Sequence, residues 1–116
     1  MQYLLMIYGN EAGMQAAPKE ALTQMSAAYA SYTEAMAKAG ILQGGERLRP
    51  TSDATTVRVQ GGKNQVLDGP YADTKEQLGG YYLIDVADLD AALSWAARCP
   101  GASMGTVEVR PIWPMQ

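Results

Sequence analysis

Apolar residues in this chain gather into short runs and helical stripes separated by glycine and proline, and each pattern predicts an element. Tyr3-Leu4-Leu5-Met6-Ile7-Tyr8 is a continuous apolar run closed by Gly9-Asn10, the pattern of a central strand buried on both faces or nearly so. Pro18 suits the first turn of a helix, and Leu22, Met25, Tyr29, Tyr32 and Met36 follow at spacings of three and four until Gly40. That stripe predicts a long amphipathic helix packed on a sheet, with Lys19, Glu20, Gln24, Ser31, Glu34 and Lys38 on its solvated side and Glu34 placed favourably four residues before Lys38. Ile41-Leu42 then leads through Gly44-Gly45 into Glu46-Arg47-Leu48-Arg49-Pro50, a stretch extended in part but broken by the glycine pair. Thr55-Thr56-Val57-Arg58-Val59 alternates and is β-branched, and Gly61-Gly62 turns it into Gln65-Val66-Leu67, which predicts a hairpin. After a charged connection from Asp68, residues 80–86 form the next strand. Asp88 caps a helix whose Leu89, Ala92, Leu93 and Ala96 face inward and which ends at Pro100-Gly101, and residues 106–110 form a last strand before Pro111.

This order is that of an α+β domain with a ferredoxin-like split βαβ arrangement and a mainly antiparallel sheet. The 116 residues fit one domain, 1–116. Two helices cover one face of the sheet and leave the other, apolar and aromatic, with nothing in the chain to cover it. A homodimer is the simplest way to bury it.

Composition narrows the function classes. Net charge is −3 and the nine Lys and Arg are dispersed, so no basic stripe awaits a phosphate backbone and nucleic acid is not an expected partner. The longest strongly apolar run is too short for a bilayer and no signal-peptide pattern occurs, so a cytoplasmic protein without a membrane partner is expected. With no histidine and one cysteine, Cys99, a zinc site of the usual kind is excluded, and no metal or cofactor is expected. The glycine pairs match neither the Walker A pattern nor the dinucleotide fingerprint.

Candidate chemistry concentrates in the connection 68–82, dense in turn residues, charges and aromatics. Asp68 ends a strand, where it is either a general base or, with Gly69-Pro70 following, a turn-former; the two roles are compatible. Asp73 is placed to cap a helical turn over Thr74 to Gln77, in which Lys75 holds an anionic substrate or, with Glu76, forms a solvated pair. Gly44-Gly45 permits close approach of a ligand, and Glu46 and Arg47 either bind it, Arg47 as a forked donor to a carboxylate or phosphate, or pair across a subunit boundary. Tyr82, with Tyr8 and Tyr81, either lines a pocket or packs.

Residues 44–50, the Asp68-Gly69-Pro70-Tyr71 turn, Thr74-Lys75-Glu76-Gln77-Leu78-Gly79-Gly80-Tyr81-Tyr82 and the ending Val107-Glu108-Val109-Arg110-Pro111-Ile112, taken in this order, resemble the DGPF subgroup of the YCII-related proteins over nearly the whole chain. The resemblance implies a ferredoxin-like domain that dimerises into an α/β barrel, with a pocket between the sheet and its surrounding elements. Some YCII-like relatives are thought to pair a His with an Asp for acid and base chemistry on small molecules, and one branch resembles dehydrochlorinating enzymes. This chain lacks the imidazole, so only the carboxylate carries over, onto Asp68. The subgroup is often encoded beside extracytoplasmic-function sigma factors, which implies a regulatory setting. Two readings follow. One is a small-molecule-binding protein with cofactor-independent proton transfer or elimination, in which Asp68 is the base and Arg47 or Lys75 stabilises negative charge. The other is a non-catalytic ligand-sensing or interaction module linked to sigma-factor regulation.

Overall fold

The computed structural model describes residues 1–115. Its elements are β1 (Gln2–Gly9), α1 (Glu11–Gln15), α2 (Lys19–Lys38), β2 (Leu42–Arg47), β3 (Thr55–Gln60), β4 (Lys63–Asp68), β5 (Gln77–Asp85), α3 (Leu89–Arg98) and β6 (Thr106–Pro111), with 3-10 turns at Thr51–Asp53 and Pro100–Ala102. Four strands form one sheet in the order β2-β5-β1-β6, every neighbouring pair antiparallel. β1 and β2 are parallel to each other with β5 between them, and β5 and β6 are related likewise across β1. These are two interleaved βαβ units, the split arrangement that the order of elements predicts. β3 and β4 form a separate two-stranded hairpin inserted between β2 and β5.

Strand register sorts side chains by face, because directly opposed residues point the same way. Tyr3, Leu5 and Ile7 share the inner face with Ile84 and Tyr82 of β5 and with Val107 and Val109 of β6. Against them pack Tyr32 and Met36 of α2 and Ala92 and Ala96 of α3, with Leu5, Met36 and Ile84 wholly buried. The Tyr32 hydroxyl donates to the Trp95 carbonyl at 2.7 Å, and its ring meets that of Tyr82 edge-on at 5.5 Å, tying both helices to the sheet. The outer face carries Leu4, Met6 and Tyr8 beside Leu83, Tyr81 and Leu78, all half-buried by one another and by no second layer.

Several expectations need correction. β1 is not buried on both faces: Tyr3 and Leu5 are buried, but Leu4 and Met6 are not. The stripe of α2 is only half used, because the helix overhangs the sheet; Tyr32 and Met36 are buried while Leu22 stays exposed. In α3 it is the alanines that face inward. Leu89 and Leu93 lie outside, 48% and 47% exposed, since a close approach of helix to sheet admits only small residues at the contact. The glycine pair bulges β2 between Leu42 and Gly44 without ending it. A side chain at Gly45 would meet the Tyr81 carbonyl and the Tyr82 ring, each at 2.7 Å, so this glycine serves strand pairing. Other signals hold. Asp88 accepts from the Ala91 N–H at 2.9 Å, Glu34 and Lys38 pair at 3.3 Å, and Gly61 and Gly62 take φ of 56° and 76°, the left-handed pair that a two-residue hairpin turn requires. No helix among the described residues is long and apolar enough to cross a membrane.

Met36→Ala is expected to destabilise the domain by about 2–5 kcal/mol through the cavity it leaves. Leu93→Ala, half exposed, is expected to cost about 1 kcal/mol or less. Urea denaturation followed by circular dichroism measures both, and equal losses would contradict the helix orientation described.

Candidate functional site

β1 and β2 end, and β5 and β6 begin, at the same edge of the sheet, so the connections 9–18, 47–54 and 69–77 meet there. Asn10 starts α1 by accepting from the Gly13 N–H at 3.1 Å, which turns Glu11 back toward the sheet end. The Glu11 carboxylate then takes two hydrogen bonds from one residue, Thr51, through its N–H at 2.7 Å and its hydroxyl at 2.6 Å. The Glu11 N–H donates to the Gln77 Oε1 at 3.0 Å, and the Gln77 Nε2 donates to the Thr74 carbonyl at 2.9 Å. Three loops are therefore fastened to one another by polar side chains rather than by apolar packing. The Asn10-Glu11 pair after the first strand is the one sequence signal for this clamp, as a cap followed by an acidic first turn.

Arg47 and Arg49 flank this clamp. Arg47 ends β2 opposite Gly80, and the Leu48 N–H extends the ladder by donating to the Gly79 carbonyl at 2.8 Å. Arg49 pairs with Asp53 at 2.9 Å, whereas Arg47 has no ion-pair partner among the described residues. A shallow depression of about 240 Å³ runs along Arg47, Leu48, Arg49 and Pro50. Glu46 sits beside Tyr81 on the outer face, one residue from Arg47 and on the opposite side of the sheet.

The other predicted residues are dispersed. Asp68 closes β4 opposite Thr55 and is exposed, with no hydrogen bond or ion pair from its carboxylate among the described residues. The turn after it is held by the Gly69 N–H to the Ala54 carbonyl at 2.7 Å and by the Thr56 hydroxyl to the Gly69 carbonyl at 2.8 Å, so the Asp68 side chain takes no part in that turn. The helical turn expected over Thr74 to Gln77 is absent: those residues bend directly into β5, because Gln77 is taken up by pairing with Gly9. Lys75 is exposed, and Glu76 accepts from the Thr106 hydroxyl at 2.7 Å, fastening the connection to β6. No group of three or more His, Cys, Asp or Glu side chains able to hold a metal occurs among the described residues.

Tyr82 lies on the inner face, where its hydroxyl and that of Thr33 share a hydrogen bond of 2.7 Å. Beside it the Cys99 thiol contacts the Tyr29 hydroxyl at 3.8 Å. Burial, with Cys99 and Tyr82 close by, pushes the ionisation of both Tyr29 and Tyr32 well above the ordinary tyrosine range. This half-buried cluster of hydroxyls supports the sheet from beneath.

A two-layer α+β sandwich with a bare sheet face and a polar clamp at one sheet end defines the class of protein. The chain belongs to the YCII-related family, whose domain model matches residues 1–116. It is 42% identical to an uncharacterised protein of Rhizobium meliloti (strain 1021), over 97% of this chain and 92% of that one. Among solved structures it is similar to the 5-chloro-2-hydroxyhydroquinone dehydrochlorinase of Burkholderia phenoliruptrix AC1100 in complex with 2,5-dihydroxybenzoquinone. The TM-score is 0.57 at 16% identity, covering 100% of this chain and 96% of that one, a likeness of fold.

Thr51→Ala removes the shorter of the two bonds to Glu11 and is expected to speed amide exchange across residues 48–54 by about tenfold while leaving the core unchanged, as hydrogen-exchange NMR would record. Tyr29 and Tyr32 bind their protons more tightly folded than unfolded, so their contribution to stability is constant below pH 10 and falls as pH rises above it. Spectrophotometric titration is expected to leave these two of the seven tyrosines un-ionised at pH 11 until the fold is lost.

Proposed function

We propose that this protein binds a small polar or anionic organic molecule at the sheet end that carries Arg47, acts as a homodimer of the dimeric α/β barrel type, and belongs to the DGPF subgroup of its family. The observation that carries the reading is the exposed Arg47 guanidinium, free of any ion pair among the described residues, on a depression that it lines with Leu48, Arg49 and Pro50, just before the Thr51 that Glu11 holds. A planar forked donor held at a rigid strand end suits a carboxylate or an acidic hydroxyquinone. The solved neighbour, a complex with 2,5-dihydroxybenzoquinone, supports the same ligand class. The bare outer face, with six large apolar side chains in register, supports the dimer.

In the catalytic form of this reading, Asp68 takes a proton from the bound molecule while Arg47 or Lys75 stabilises the negative charge left behind. A specific observation favours the other form, binding without turnover as a sensing or interaction module tied to sigma-factor regulation. Among the described residues of a single chain no side chain hydrogen-bonds or ion-pairs with the Asp68 carboxylate.

Isothermal titration with 2,5-dihydroxybenzoquinone is expected to give saturable binding that Arg47→Ala weakens at least about tenfold, the scale of one charge-assisted hydrogen bond. Unchanged affinity in Arg47→Ala would remove Arg47 from the site. Light scattering at micromolar concentration is expected to give about 25 kDa, twice the 12.4 kDa chain.

A further inference from the structure

We infer that the β3–β4 hairpin is an arm that closes its valine face on a second copy of this chain and carries Asp68 into the interface; the inference rests on the homodimer proposed above.

The arm's register separates two unlike faces. Val57 lies opposite Val66 and Val59 opposite Asn64, so three valines share one face, with Asp68 and Thr55 at its base. Arg58, Gln65, Thr56, Leu67, Gln60 and Lys63 occupy the other. The three valines are 61–66% exposed, and nothing among the described residues of their own chain covers them. A two-stranded ribbon is marginal in water by itself, and β-branched residues on one of its faces stabilise it only when that face is packed.

The shape of the chain excludes the domain's own faces as the covering surface. Its extents are 47 × 47 × 19 Å, and 19 Å is the depth of one sheet and one helix layer. The arm therefore projects within that slab instead of folding back over the sheet or the helices. A copy docked against the outer face of the sheet would lie alongside it.

Area points to the same occupant. Four strands about 4.8 Å apart and about 20 Å long give a sheet face of roughly 400 Å², about half of the roughly 800 Å² per partner that a stable dimer buries. The arm, two strands wide and six residues long, adds roughly 200 Å², and the surface it covers on the other copy adds roughly 200 Å² more. By two-fold symmetry each copy gives and receives one arm, and the total reaches the size of a stable interface. Asp68, isolated in one chain, enters the interface on the same face as the valines and meets its partners there.

Sedimentation equilibrium and hydrogen exchange by mass spectrometry test this on the full chain. The wild type is expected to be a dimer whose arm amides, residues 55–68, exchange at least about tenfold more slowly than after dilution to monomer. Val57→Asp combined with Val66→Asp is expected to raise the dimer dissociation constant at least about tenfold with the circular dichroism of the domain retained. A monomeric wild type at micromolar concentration would overturn the dimer itself and the arm with it. A dimeric wild type whose arm exchanges equally fast in both states, or whose dissociation constant is unmoved in the double variant, would overturn the arm alone.

Discussion

The contact of Leu5 and Ile84 on the inner sheet face with Met36 of α2, three side chains wholly out of water, holds the two layers together, and the rest of the molecule is arranged around it. Among the described residues few other hydrophobic side chains are buried: Tyr3, Tyr32, Val86, Ala92, Ala96 and Cys99 complete that set. With so narrow a core, the chain spends its remaining length on the hairpin, the overhanging first half of α2 and the loops at one sheet end. Among the described residues these segments gain little from apolar burial. Each depends on something else: turn geometry for the hairpin, the Glu11 and Thr51 clamp for the loops, and, on the reading developed above, a second copy for both the hairpin and the outer sheet face.

The polar clamp explains how an otherwise lightly packed edge of the sheet keeps its shape. A carboxylate that accepts both the N–H and the hydroxyl of Thr51 fixes where the chain leaves β2, and so fixes Arg47 just before it. Gln77 and Glu76 do the same for the connection entering β5. Sites built on strand ends and braced by neighbouring hydrogen bonds keep their geometry better than sites on free loops. The hydroxyls of Tyr82 and Thr33 brace β5 from the opposite side, which gives Tyr82 a supporting part where the sequence had admitted a binding one.

Periodicity made most of the fold legible in the chain. The six-residue apolar run, the α2 stripe, the glycine-glycine hairpin and the Asp88 cap each correspond to an element of the structure, because local backbone preferences and burial agree at those places. What periodicity could not resolve was which side of an element finds a partner. Leu89 and Leu93 lie on the outer side of α3 because alanines permit closer helix-to-sheet contact, and Leu22 is exposed because α2 outruns the sheet; both depend on tertiary distances that no window of sequence contains. The candidate site was legible as a list of charged residues but not as an arrangement. Glu11, forty residues from Thr51, had no reason to be singled out until the sheet brought them together.

The position of Asp68 follows from the same separation between local pattern and assembly. In sequence it sits between a strand and a Gly-Pro turn, and turn-forming was the simpler role; yet the turn is closed by Gly69, Ala54 and Thr56, and the Asp68 carboxylate stands clear. A carboxylate with no structural task on the same ribbon face as three uncovered valines is poorly explained by one chain. Burying an unpaired charge is costly, so an interface that takes in those valines must also give Asp68 a hydrogen-bonding or cationic partner. The valines and the carboxylate thus raise a single question, and the proposed docking of a second copy would answer both parts of it: the apolar face would supply the association, and the carboxylate at its base would acquire in the assembly the surroundings it lacks alone.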